Sequence, residues 1–160
     1  MTRRISRMAV LLALGLVLNI AVQTFSIVGM KIDFIVVMLA ISILESQSLK
    51  DALLSGISFG ILCALTTTFP NGQVANIVDK LILSITLYYF KEIFINIMDN
   101  KYILVTYVAF ATLLSGTIFL YIALSLSNTL NLFIPLFTSV VIPSLLGNCI
   151  MMLSLRRIYL

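Results

Sequence analysis

The stretch MAVLLALGLVLNIAVQTFSIV, residues 8–28, decides the fold class of this chain. Four polar residues interrupt it: Asn19, Gln23, Thr24 and Ser26. A helix needs about 20 mainly apolar residues to cross the hydrocarbon core of a bilayer, and this stretch has that length. It therefore predicts a transmembrane helix.

The rest of the chain repeats the pattern. Charged residues make up 10% of its 160 residues, whereas a soluble domain carries roughly 25%. Such a chain has too few polar side chains to cover a surface that faces water. We expect an all-α polytopic membrane protein, a single domain over residues 1–160, with six transmembrane helices. The predicted spans are 8–28, 32–46, 49–69, 73–95, 102–126 and 131–155.

The basic residues predict an orientation, because short cytoplasmic loops are enriched in Lys and Arg. Six spans put both termini on one side, and most basic residues fall there: Arg3, Arg4, Arg7, Lys50, Lys91, Lys101, Arg156 and Arg157. Lys31 alone lies on the other side, and Lys80 lies inside the fourth span. Both termini are therefore expected in the cytoplasm. The net charge of +4 then reflects topology and implies no nucleic-acid partner.

Several kinds of chemistry are not expected. The chain has no histidine, which argues against zinc-protease motifs and a Ser-His couple. It also has no P-loop signature for ATP hydrolysis. Cys63 and Cys149 lie in apolar spans without metal-ligand spacing and are interpreted as packing residues. We expect no enzyme activity, no cofactor and no metal site.

Small residues recur at helical spacing in two spans. The third span has them at every fourth position: Ala52, Gly56, Gly60 and Ala64. The first span has a shorter version, Ala9 and Ala13. Faces of this kind let helices approach closely in membranes. Periodicity favours packing inside the bundle in both cases, and docking of another membrane protein is the alternative.

The most polar stretch is ALTTTFPNGQVANIVDK, residues 64–80. Pro70 ends the third helix, and Asn71-Gly72 supplies a tight turn. The fourth span then enters the membrane with four polar residues: Gln73, Asn76, Asp79 and Lys80.

Asp79 and Lys80 are costly at membrane depth, about 2.5–3.5 kcal/mol each. Neighbours on a helix point about 100° apart, so the two are expected to pair poorly with each other. Each should find a partner in another helix or in a ligand. A ligand site is favoured over a purely structural network or a Lys80 side chain that snorkels outward.

The first outer turn adds a second pair of charges, Lys31 and Asp33. Two Lys and two Asp on one side of the membrane suit a zwitterion, because Lys binds a carboxylate and Asp an ammonium. Four large side chains at compatible heights are predicted to line an apolar pocket: Phe25, Met30, Phe69 and Tyr121.

Two motifs resemble those of the bacterial tryptophan transporter family (TrpP-like). They are Gly29-Met30-Lys31-x-Asp33 and Thr66-Thr67-x-Phe69-Pro70-x-Gly72-Gln73-x-x-Asn76-x-x-Asp79-Lys80. The resemblance extends over essentially the whole chain in length, span count and motif placement. It implies a substrate-binding S component of an energy-coupling factor (ECF) transporter, an importer of the ABC type, in the plasma membrane of a bacterium. Such a subunit captures tryptophan or a similar solute from outside.

The resemblance also implies partners and roles. A scaffold membrane subunit and two ATPase subunits drive uptake, and the Ala9/Ala13 face docks the scaffold. For the substrate, Asp79 or Asp33 takes the ammonium and Lys80 or Lys31 the carboxylate. The indole N–H meets Gln73, Asn76 or a hydroxyl of Thr66, Thr67 or Thr68. Phe69 and Met30 pack against the ring.

Two other functions remain open at this point. One is a self-sufficient carrier for a small zwitterionic solute that uses Asp79 and Lys80 in ion coupling. The other is a structural membrane subunit without a saturable ligand.

Overall fold

The computed structural model describes residues 2–24, 33–98 and 100–159, with the side chains of 6–21, 33–98 and 100–156. Its helices are α1 Thr2–Thr24, α2 Phe34–Glu45, α3 Leu49–Thr66, α4 Gly72–Ile93, α5 Lys101–Leu126, α6 Phe133–Leu136 and α7 Ile142–Tyr159. These ranges contain no strand, and the predicted all-α fold is confirmed. Phe25, Met30 and Lys31, all predicted site residues, lie outside the described residues.

Helix α2 is the centre of the bundle. Every residue from Ile35 to Ile43 is buried, and the helix contacts α1, α3, α4, α5 and α7. A helix that is apolar all round belongs in such a position, because no face of it needs to meet water. Its 12 residues extend only about 18 Å, so α2 is shorter than the roughly 30 Å hydrocarbon core.

The two ends of the bundle differ in the side chains that connect their helices. At one end, which we call the basic end, Arg7 Nη1 lies 4.0 Å from Glu45 Oε1 and the ammonium of Lys91 donates to the Ser46 carbonyl. At the other end, the motif end, the Asn71 amide donates to Ser127 Oγ at 3.0 Å. Consecutive helices therefore run up and down between these two ends.

The small residues of α3 pack against α4. Ala52, Gly56, Gly60 and Ala64 are all buried. A Cβ atom on Gly56 would lie 2.7 Å from Ser84 Cβ and 2.9 Å from the Lys80 carbonyl oxygen. This face therefore packs inside the bundle, as periodicity predicted, and it lets the two helix backbones approach closely.

The last predicted span is a broken helix. A 3₁₀ turn at Leu130–Leu132 leads into α6, and a π-helix at Phe137–Val141 joins α6 to α7. The Ile142 N–H donates to the Phe137 carbonyl, five residues back. The next residue is Pro143, which has no N–H and cannot continue the α-helical pattern at this point. Val141, in the π-helix, packs closely on Gly116 of α5, where an added Cβ would lie 2.7 Å from both Val141 Cγ atoms.

Among the residues that the structure describes, three helical stretches are long and apolar enough to cross a membrane by length and composition: Leu49–Thr66, Lys101–Leu126 and Leu130–Arg156. Shorter apolar helices are Ser6–Ala21 and Phe34–Glu45. Helix α4 carries four charged residues: Asp79, Lys80, Lys91 and Glu92.

We expect Gly56→Ala to destabilise the protein by about 1–3 kcal/mol, because the added methyl collides with backbone and Cβ atoms of α4. The thermal unfolding of purified protein in detergent measures this. Gly15→Ala is the comparison variant and should lose less stability, since its Cβ would lie 3.1 Å from Met38 Cβ and would meet no atom as close as those at Gly56. Equal unfolding temperatures for the two variants would contradict the close α3–α4 packing.

Candidate functional site

Asp79 and Lys80 lie in the interior of the bundle, on the third turn of α4. Asp79 is 0% exposed and Lys80 is 3% exposed. Lys80 Nζ lies 2.6 Å from Asp79 Oδ2. The prediction that these neighbours pair poorly is wrong, because the flexible four-carbon stem of lysine bends its ammonium back over the adjacent carboxylate.

Ser115 of α5 completes a hydrogen-bonded triangle with the two charges. Lys80 Nζ donates to Ser115 Oγ at 2.9 Å, and Ser115 Oγ donates to Asp79 Oδ2 at 2.7 Å. We call Asp79, Lys80 and Ser115 the buried triad. Taking each ion out of water costs several kcal/mol, and the mutual attraction with the added hydroxyl offsets that cost. The expected partner in another helix is thus Ser115.

The buried triad leaves hydrogen-bonding capacity unused. Asp79 Oδ1 is buried and has no hydrogen-bond partner among the described residues. An ammonium has three protons, and Asp79 and Ser115 account for two of those on Lys80. A buried acceptor without a partner loses about 1–3 kcal/mol, and more when it is charged. The triad can therefore accept a further hydrogen bond from a cation and offer one to an anion.

Two hydrogen bonds connect Asp33 to the face of α5 that carries Ser115. Its backbone N–H donates to Asn148 Oδ1 at 3.1 Å, and Asn148 Nδ2 donates to Thr112 Oγ1 at 3.0 Å. Thr112 precedes Ser115 by three residues and shares its face of α5. The Asp33 carboxylate caps α2 by accepting from the Val36 N–H at 3.3 Å.

An aromatic pair lies on the other side of the triad, toward the motif end. The rings of Phe69 and Phe119 meet edge to face, with centroids 5.4 Å apart. Phe119 follows Ser115 by four residues and therefore lies one turn further along the same face of α5. The two rings pack with a small apolar cluster that includes Leu120 and Val141. Phe69 thus contributes to an apolar region, and the triad lies beneath it.

The remaining predicted polar residues differ in their surroundings. Asn76 is buried, and its Nδ2 donates to the Gly72 carbonyl at 2.9 Å. Thr66 is half-buried and donates to the Leu62 carbonyl, while Thr67 Oγ1 accepts from the Phe69 N–H. Gln73 is exposed. Asn76 is therefore closer than Gln73 to the interior that holds the triad.

Sequence reasoning did not find four residues of this region: Thr112, Ser115, Phe119 and Asn148. Thr112 and Ser115 carry a weak signal, since two hydroxyls three residues apart mark one face of an apolar helix. Asn148 is fully buried in an apolar helix, which is unusual for an amide. The sequence contains these signals, but it does not say which helices face each other.

Ala9 and Ala13 lie on an exposed face of α1. The buried face of this helix contains Met8, Leu11 and Gly15. Within the described side chains, the small-residue pair therefore points away from the bundle, in contrast to the glycines of α3.

Comparison with known proteins gives consistent results. The sequence model of the family described as tryptophan transporter TrpP matches residues 1–159. A probable tryptophan transport protein from Clostridium acetobutylicum is 36% identical over 143 residues, which covers 87% of this chain and 81% of that protein. The probable tryptophan transport protein of Bacillus subtilis is 33% identical over 159 residues, with coverages of 98% and 90%. No solved structure is significantly similar to the chain.

The triad makes a prediction about stability. Asp79→Asn or Lys80→Met alone leaves one buried charge without its counter-ion, and we expect a loss of about 3–5 kcal/mol for each. The double variant removes both charges and should lose much less than the sum. Chemical denaturation of the four proteins in detergent gives the coupling energy. Lys101→Met, at an exposed lysine, is the control. Additive losses would show that the two charges do not interact.

Proposed function

Because the chain belongs to the tryptophan transporter family, we propose that it binds tryptophan next to the buried triad. We further propose that it serves as the substrate-binding S component of an ECF importer. The first proposal concerns the ligand and rests on the triad. The second concerns the partners and rests on the exposed face of α1.

The unpartnered Oδ1 of Asp79 carries the ligand proposal. An amino-acid ammonium can donate to this oxygen while Lys80 stays bound to Oδ2. The third proton of Lys80 is then available to the substrate carboxylate, so the zwitterion bridges the two charges. Asp33, Asp79 and Lys80 together carry one net negative charge, which favours the ammonium contact over the carboxylate contact.

The surroundings of the triad suit an indole ring. Phe69 and Phe119 supply aromatic surface one turn above it, and aromatic rings pack favourably edge to face or offset. The nitrogen of Asn76 is already bound to the Gly72 carbonyl. Its carbonyl oxygen is therefore the group we assign to the indole N–H.

The distribution of basic residues supports an orientation for this site. The basic end holds Arg7, Lys91 and Arg156, and cytoplasmic ends of membrane proteins are rich in such residues. We therefore place both termini in the cytoplasm of a bacterium and the motif end outside. Substrate that arrives from outside the cell would then approach the triad from the motif end.

The exposed face of α1 supports a role as one subunit of a larger transporter. Ala9 and Ala13 are exposed small residues one turn apart, next to the larger exposed Val10 and Leu14, and small residues at this spacing allow close helix contact in membranes. We assign this face to the scaffold subunit. Two ATPase subunits would then supply the energy for uptake.

Tryptophan binding can be measured directly, because the chain contains no tryptophan of its own. We expect the emission of added tryptophan to shift on binding to the parent protein. Asp79→Asn should weaken the affinity at least about tenfold, since it removes a charge-assisted hydrogen bond. Asp79→Glu keeps the charge and should retain more of the affinity. Lys50→Gln, at an exposed lysine of α3, should bind like the parent protein.

Substrate analogues provide a second test that needs no variant. Indole-3-propionate lacks the ammonium, and tryptamine lacks the carboxylate. Because the charges near the site sum to a negative value, indole-3-propionate should lose more affinity than tryptamine. The reverse order, or no binding of tryptophan at all, would contradict the proposed site.

Uptake tests the partner assignment separately. We expect Ala9→Leu with Ala13→Leu to abolish tryptophan uptake by cells while purified protein still binds tryptophan, because bulky side chains block helix contact. Thr117→Leu, a similar enlargement on the exposed side of α5, should leave uptake intact. Accumulation of tryptophan by the purified subunit alone in vesicles would instead support an ion-coupled carrier.

A further inference from the structure

A cavity of about 320 Å³ lies at the basic end, between the end of α2, the end of α4, the start of α5 and the end of α7. Lys91, which lines it, follows Lys80 by 11 residues on α4, so the cavity is about 16 Å from the triad along that helix. Most of its lining is apolar, including Leu44, Met98, Leu104 and Leu155. Ligand-binding cavities typically have this size and a mainly apolar lining with a few polar groups.

The formal charges of the cavity lining and of its ion-pair partners sum to +1, from Arg7, Lys91 and Arg156 against Glu45 and Glu92. Its charged lining residues are Glu45, Lys91 and Arg156. Glu45 lies 4.0 Å from Arg7, which offsets its charge. Lys91 is only 8% exposed, although its ammonium also faces Glu92 Oε1 at 3.6 Å. An anionic group is therefore the favoured charged ligand.

Apolar surface connects the cavity with the surroundings of the bundle. Ile95 lines the cavity and is also 52% exposed, and its neighbour Ile93 is 74% exposed. Exposed isoleucines at the end of a membrane helix fit contact with acyl chains, because they would be unfavourable in water. The apolar path into the cavity therefore starts where lipid chains are expected.

Aromatic residues place the cavity mouth at the depth of lipid headgroups. Tyr89 and Tyr102 are exposed large side chains near the end of α4 and the start of α5. Tyrosine concentrates at membrane–water interfaces, where its ring is apolar and its hydroxyl is wet. Lys91 lies in the same region, with its ammonium 5.5 Å from the Tyr88 ring centroid.

We propose that this cavity binds one anionic phospholipid, with the phosphate near Lys91 and Arg156 and an acyl chain along Ile95 and Leu155. Basic pockets between helices on the cytoplasmic side of a membrane have the chemistry for such headgroups. This site is separate from the tryptophan site and does not depend on it.

Native mass spectrometry and thermal unfolding of detergent-purified protein test the proposal. The probes are phosphatidylglycerol, phosphatidylcholine with the same acyl chains, glycerol 3-phosphate and tryptophan. We expect the parent protein to retain phosphatidylglycerol and to be stabilised by it, with little response to phosphatidylcholine or glycerol 3-phosphate. Lys91→Gln should weaken phosphatidylglycerol binding about tenfold, and Lys50→Gln should leave it unchanged. Arg156→Gln serves as a second variant if Lys91→Gln does not fold.

Three results would overturn the proposal. Equal binding of both phospholipids would show that the headgroup charge is not recognised. Equal stabilisation by glycerol 3-phosphate would show a simple anion site rather than a lipid site. Stabilisation by tryptophan that Lys91→Gln abolishes, while Asp79→Asn does not, would assign the cavity to the amino acid.

Discussion

Asp79 and Lys80 lie in an apolar helical interior, where each charge loses several kcal/mol of hydration. The neighbouring helices α3 and α5 pack closely against these two residues. Gly60 lets α3 approach so closely that a Cβ there would lie 3.4 Å from Lys80 Cβ. Ser115 of α5 approaches from another helix and bonds both charged groups. Polar contacts and helix spacing therefore depend on each other in this part of the bundle.

Asp79 has no exposed surface, so a ligand cannot bind it without a change in packing. A ligand reaches Oδ1 only after neighbouring groups move, and the proposed route is from the motif end. Phe69 and Phe119 lie on that side, and the nearby turn is held by the Asn71–Ser127 hydrogen bond. The proposed binding thus combines a preformed charge pair with displacement of an aromatic contact, so occupied and empty states differ in packing at the motif end.

Sequence patterns predicted the all-α fold because long apolar runs have few alternatives in a bilayer. They also marked Asp79 and Lys80 as exceptional, since charges in such runs are costly. The geometry of the pair was not predictable, because helix-face arithmetic ignores how far a lysine stem bends. Ser115 and Asn148 come from helices remote in sequence, and only the three-dimensional arrangement brings them to Asp79 and Asp33. The π-helix that places Val141 against Gly116 was not predicted, because an apolar run indicates a helix but not a local change in its hydrogen-bond pattern.

The short central helix also constrains how the protein is made. Twelve residues are too few to cross the hydrocarbon core alone, and α2 packs against α1, the helix that precedes it in the chain. Its other contacts come from α3, α4, α5 and α7, which leave the ribosome later. Until α7 is synthesised, one side of α2 and the backbone N–H of Asp33 lack their final neighbours. The packing around α2 is therefore complete only once α7 has been added.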